Sequence, residues 1–193
     1  WNEYGQRERE LSVEIPPVNF HITDDQLGYG TAKEKFRANV MAIQVLKKCE
    51  RESRYASPEE QEILSNYVGW GGLPDAFDES KASWSEEYQE LKDLLTKEEY
   101  AAARESTLNA HYTQPVIIHS MYQALENLGF EKGNILEPSM GIGNFFGMLP
   151  EKLRQSHLYG VELDSISGRI GKLLYPDANI QIKGFEKTDY PND

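Results

Sequence analysis

Cysteine is nearly absent from this sequence. Cys49 is the only one, which excludes internal disulfides and cysteine-rich zinc sites and fits a reducing, cytoplasmic setting. The four histidines, His21, His111, His119 and His157, show no pairing at metal-ligand spacing, so no metal site is expected. No apolar run approaches the roughly 20 residues of a membrane span, so no membrane partner is expected. The polar start, "WNEYGQRERE", has no signal-peptide pattern. It begins with Trp1 and not methionine, which points to a piece of a longer protein.

Basic residues are also scarce. Net charge is −12, from 20 Lys+Arg against 32 Asp+Glu. Residues 1–105 carry −9 (13 basic, 22 acidic) and residues 106–193 carry −3 (7 basic, 10 acidic). Phosphate contacts dominate nucleic-acid affinity and need cations. This chain alone is therefore expected to bind DNA poorly, with any DNA surface lying in other parts of a longer protein.

What is present divides into three stretches. Residues 1–30 read as an extended lead-in, with a short strand expected near Val18 to Ile22 after the two prolines of "EIPPVNFHI". Residues 31–105 read as an acidic helical subdomain of four helices. Phe36, Val40, Ile43 and Leu46 recur every three to four residues and form the apolar face of the first. Ser57, Pro58 and Glu60 supply a capping box for the second, which buries Ile63, Leu64, Tyr67 and Val68. Trp84, Tyr88, Leu91 and Leu95 mark the third. Thr96 and Glu99 cap the fourth. "GWGG" (Gly69 to Gly72) breaks the chain between them. Trp70 there is a core anchor in the favoured reading and a stacking residue in the other.

Residues 106–193 alternate helix and strand. Thr113 is expected to cap a helix opening at Pro115, with a broad apolar face of Ile117, Ile118, Met121, Tyr122, Leu125 and Leu128 and a terminal Gly129. Strands are expected at Asn134 to Glu137, His157 to Leu163 and Asn179 to Gly184, with a helix over Ser165 to Leu174. That alternation predicts an α/β fold with a parallel sheet.

The loop after the first strand, "EPSMGIGNFFG", carries the chemistry. A phosphate-binding loop needs Lys-Ser or Lys-Thr after the glycines, and none follows. A dinucleotide fingerprint needs G-x-G-x-x-G, and here Gly147 comes one residue late after Gly141 and Gly143. A plain strand-to-helix turn is the bland reading. A fourth reading uses every feature. Glu137, ending strand one, accepts hydrogen bonds from a positively charged amino-acid moiety. Glu162, ending strand two 19 residues after Gly143, takes the hydroxyls of a ribose. One acid for an amino group and one for a ribose describe S-adenosylmethionine, whose sulfonium needs no phosphate cradle. Phe145 and Phe146, which follow the glycines, read as core residues.

At these residues the sequence resembles the gamma class of N6-adenine DNA methyltransferases. "LEPSMGIGNF" resembles their motif I, "HYTQPVII" (residues 111–118) motif X, "GVELD" (160–164) motif II, and "IKGFEKTDY" (182–190) falls where motif III belongs. With "YVGWGGLPDAFD" and "STLNAHYT", the match extends to the large methylase–helicase proteins of bacterial conjugative elements and phages. The resemblance implies a truncated Rossmann-like S-adenosylmethionine-dependent methyltransferase fold behind the helical subdomain. It would place Tyr112 and Thr113 beside the methionine moiety, and Glu137, Pro138, Ser139, Gly141 and Gly143 around it. Glu162 would lie on the ribose, Leu163 against the adenine, and Phe185 or Glu186 near the adenine ring. The family's catalytic Asn/Asp-Pro-Pro-aromatic tetrapeptide has no counterpart; "YPND" (190–193) has neither its order nor its length. The expectation is thus the cofactor-binding part of a DNA adenine methyltransferase, inactive alone and with no catalytic residue in this chain. The alternatives are a degenerate methyltransferase fold used as a DNA-docking scaffold, and a nicotinamide-dependent oxidoreductase.

Overall fold

A computed structural model describes residues 17–24, 28–108 and 112–190. His111, and with it the start of the "HYTQPVII" segment, lies outside the described residues, as do residues 1–16 of the lead-in and 191–193 of "YPND".

Four helices come first: α1 (Ala32–Glu52), α2 (Pro58–Ser65), α3 (Ser85–Leu94) and α4 (Lys97–Ser106). Capping boxes start three of them. Thr31 pairs with Glu34, Ser57 with Glu60, and Thr96 with Glu99, each side chain bonding the other residue's backbone N–H. A stripe of Phe36, Val40, Ile43 and Leu46 buries one side of α1. Trp70 is buried against it and meets Phe36, Tyr67 and Phe77 edge-on, so the "GWGG" turn is a core anchor. Buried Asn39 holds that turn: its Nδ2 donates to the Gly69 carbonyl at 2.5 Å and its Oδ1 accepts from the Val68 N–H at 2.8 Å.

The second half is α5 (Pro115–Asn127), β1 (Asn134–Glu137), α6 (Asn144–Gly147), β2 (His157–Glu162), α7 (Ser165–Leu174) and β3 (Asn179–Ile182). The strands form a parallel sheet in the order β1-β2-β3, with Glu137 opposite Gly160 and Glu162 opposite Ile182. The architecture is α/β, a small parallel sheet with flanking helices, as the alternation predicts. Helices α1 and α2 pack on α7, and one buried cluster runs from Phe36 through Leu64 and Leu174 to Ile180.

Four local expectations change. Helix α2 ends at Ser65, so Tyr67 and Val68 lie beyond it, and Ile63 and Val68 are only partly buried. Residues Val18 to Ile22 form no strand. Phe20 and Ile22 donate their N–H groups to Leu174 and Gly147, two different elements, so no ladder can propagate. Thr113 is not the cap of α5. Gln114 occupies that position without a side-chain bond, because Pro115 at the first helical position sets the start one residue later. Only Ile118 and Tyr122 of α5 are buried, while Ile117, Met121, Leu125 and Leu128 face outward. A single i, i+4 line meets the core, and its neighbours turn away by about 100° per residue.

Glu99 ties the two halves together. It is buried, accepts from Lys47 of α1 at 2.8 Å and from Arg169 of α7 at 2.6 Å, and closes the Thr96 capping box at 2.9 Å. Burial opposes its charge, but those donors outweigh it and hold the carboxyl below its ordinary range. Glu99→Ala removes one acceptor from each of two partly buried cations, leaving Lys47 the Leu94 carbonyl and Arg169 the Glu50 carboxylate, and frees one cap N–H. Its expected cost is about 2 kcal/mol, read as a lower midpoint in urea unfolding at unchanged slope.

Candidate functional site

The carboxyl ends of β1 and β2 open into a cleft of about 700 Å³. The strand ends project two acids into it. Glu137 closes β1 and Glu162 closes β2, on neighbouring strands. The glycine loop runs between them.

Glu162 organises that loop. Its Oε2 accepts the Gly141 N–H at 2.7 Å, and its Oε1 accepts the Asp164 N–H at 2.8 Å. A carboxylate offers about four lone-pair directions, so two remain for a ligand. Asp164 turns the chain into α7 by accepting from the Ser167 N–H at 2.8 Å and its hydroxyl at 2.6 Å.

Glu137 is held differently. No hydrogen bond among the described residues reaches its carboxylate, and burial alone pushes its pKa up to about 7. Among the described residues it is therefore an acid without a hydrogen-bond partner, half ionised near neutrality. Its charge, after burial, also raises the phenol of nearby Tyr122. The Tyr122 hydroxyl donates to the Phe145 carbonyl at 2.6 Å and so fastens the start of α6 to α5.

The glycines serve the protein's own packing. A Cβ on Gly141 would meet the Tyr112 ring at 2.9 Å. One on Gly143 would meet the Tyr175 ring at 2.5 Å. The loop is thus pinned between two aromatic rings. Tyr112 lies on the cleft side of it, where burial raises its phenol pKa well above the ordinary value.

Of the residues singled out in the sequence, Tyr112, Thr113, Glu137, Ser139, Gly141, Glu162 and Leu163 line this one cleft. Pro138 and Gly143 lie in the loop without lining it. Phe185 and Glu186 sit in a single 3-10 turn after β3 and do not line the cleft, and Phe185 is half exposed. Sequence reasoning missed Tyr67, Glu105, Asn144 and Asp164, which also line it. For Asp164 the available signal was an Asp immediately before the Ser165 helix, a helix-capping pattern. Tyr67 and Glu105 arrive from α2's end and α4, and only tertiary packing places them there. Phe146 is buried as expected, whereas Phe145 is partly buried and reaches the cleft wall.

No family model matches the chain, and no solved structure matches it. A curated relative does: the "Defense against restriction protein B" of Escherichia phage P1 is 27% identical over 189 residues. The alignment covers 96% of this chain and 7% of the relative's length. These findings correct the functional expectation. The resemblance to gamma-class adenine methyltransferases, and the methyl-transferring enzyme built on it, give way to likeness to a restriction-defence protein. The degenerate docking scaffold of a methylase–helicase is set aside with them. The physical reason lies in the motifs. A glycine loop and two strand-end acids specify a ligand crevice of a parallel sheet, and the same crevice serves many chemistries. Among the described residues, none of the helices is long and apolar enough to cross a membrane.

Proposed function

We propose that this chain is a ligand-binding part of a restriction-defence protein, and that its cleft takes an adenosyl amino acid of the S-adenosylmethionine type. The observation that carries the reading is the pair of acids, Glu137 and Glu162, ending adjacent parallel strands on either side of the glycine loop. In this reading the three strands open a doubly wound, Rossmann-like sheet, and the ligand lies across their carboxyl ends. Glu137, without a hydrogen-bond partner among the described residues, receives the ligand's ammonium group. Glu162 keeps the loop in place and offers its remaining lone pairs to the ribose hydroxyls. Tyr112 and Thr113 flank the amino-acid end, and Leu163, three-quarters exposed, offers an apolar surface to the adenine. Binding the methyl donor that DNA-modifying enzymes consume connects the cleft to the modification side of restriction. DNA contacts of the whole protein would lie in its other parts.

The raised pKa of half-buried Glu137 gives the reading a pH signature. Only ionised Glu137 attracts an ammonium, and its carboxyl titrates at about 7. Affinity for S-adenosylmethionine should therefore rise about fivefold between roughly pH 6 and pH 7, where the ligand's own amine is still mostly protonated. Glu137→Gln should weaken binding and flatten this profile in calorimetric titrations. The folded carboxyl lies above its unfolded value of 4.5, so the native state holds the extra proton. Stability is then highest below the unfolded value and falls as pH rises towards 7, and the full cost is present above it. Glu137→Gln should thus stabilise the unliganded protein at alkaline pH. After screening of a half-buried group, the gain is about 1 kcal/mol. A pH-independent affinity in the unsubstituted chain would contradict the role given to Glu137.

A further inference from the structure

The cleft is one-sided in charge. Glu105, Glu137, Glu162 and Asp164 all line it, and no Lys, Arg or His among the described residues does. An independent feature points the same way. Asn144, nine-tenths buried, lines the same cleft, and its Oδ1 has no hydrogen-bond partner among the described residues. A buried acceptor left empty costs free energy that a bound donor returns. The cleft therefore presents carboxylates and an unfilled amide oxygen to whatever enters it. Phosphates and other ligands of net negative charge are repelled, and a ligand is favoured for each positive charge and each N–H it brings.

We infer that the cleft distinguishes S-adenosylmethionine from S-adenosylhomocysteine by charge and takes the sulfonium form in preference. This rests on the reading of the cleft as an adenosyl amino-acid site. The two compounds share the adenosine and the amino-acid group, so those contacts bind both alike. They differ in a methyl group and one positive charge at sulfur. That charge is attracted by all four carboxylates, of which Glu105 on the rim has no role in holding the glycine loop. A site with this preference reports the supply of methyl donor and is not blocked by the spent product.

Calorimetric titration of the intact chain with each compound at low and high salt tests this. At about 20 mM salt, S-adenosylmethionine should bind about tenfold more tightly; at about 500 mM the ratio should fall below about threefold, because rim charges are screened. Glu105→Gln should lower the low-salt ratio by about half. S-adenosylhomocysteine binding as tightly as the sulfonium form would overturn the inference and leave the adenosyl site standing. A preference unchanged by salt would overturn it too, since it would come from methyl contact and not from charge. Binding of neither compound to chain shown folded by circular dichroism would overturn both the inference and the site.

Discussion

Glu162→Ala should abolish measurable binding of S-adenosylmethionine, a loss of at least about 100-fold, or about 2.7 kcal/mol. Two effects add. The first is direct: the ribose hydroxyls lose their carboxylate. The second is architectural. Gly141 and Asp164 both donate to this carboxylate, at 2.7 and 2.8 Å, and the substitution leaves both N–H groups without it. Charge-assisted bonds of this kind are stronger than neutral ones, so the glycine loop loses its main tether. Glu162→Gln separates the two effects. The amide keeps one acceptor oxygen and puts an NH₂ where the other stood, so it can hold one of the two N–H groups. Its binding should fall between wild type and alanine. Wild-type affinity in Glu162→Ala would remove this residue from the site altogether.

Gly143→Ala should produce the largest loss of stability, about 3 kcal/mol or more. Gly143 has φ +95° and ψ +39°, a left-handed conformation that costs an L-residue about 1–2 kcal/mol. A methyl group there would also sit 2.5 Å from Tyr175 Cε2 and 2.9 Å from its Cδ2. Tyr175 cannot yield: it is buried and stacks edge-on with Phe146, with ring centres 5.7 Å apart. Overpacking of this kind adds about 1–3 kcal/mol. Gly72 provides the internal comparison. Its φ is +77°, yet a Cβ there meets nothing within 4 Å. Gly72→Ala should therefore cost only the backbone strain, about 1 kcal/mol. Equal midpoints for the two variants in urea unfolding would show that the Tyr175 contact contributes nothing.

Much of the fold was legible because it is specified locally. Ser57 with Glu60 and Thr96 with Glu99 announce helix starts through contacts three residues apart, and both capping boxes form. Strands β1 to β3 were legible from apolar runs between helical periods, and their parallel pairing followed from the alternation. What depends on distant partners was not legible. The outward face of α5 reads as core in the sequence, because periodicity records which residues share a side and not how much of it is covered. The far wall of the cleft comes from Tyr67 and Glu105, which no local pattern associates with Glu162. At the site, the loop and its two acids were visible from residue type and spacing. Their spacing could not show that both oxygens of Glu162 hold the loop, nor that Glu137 stands without a hydrogen-bond partner among the described residues. Nor could the motifs select one chemistry, since many chemistries share the same backbone crevice. The restriction-defence relative was beyond any local reading.

The central claim is that the crevice between Glu137 and Glu162 holds an adenosyl amino acid. Calorimetric titration of the intact chain with S-adenosylmethionine at about pH 8 and low salt tests it most directly. One site per chain is expected, with a dissociation constant in the micromolar range, about −8 kcal/mol. An absence of binding heat at two temperatures, in protein whose unfolding is cooperative, would contradict it.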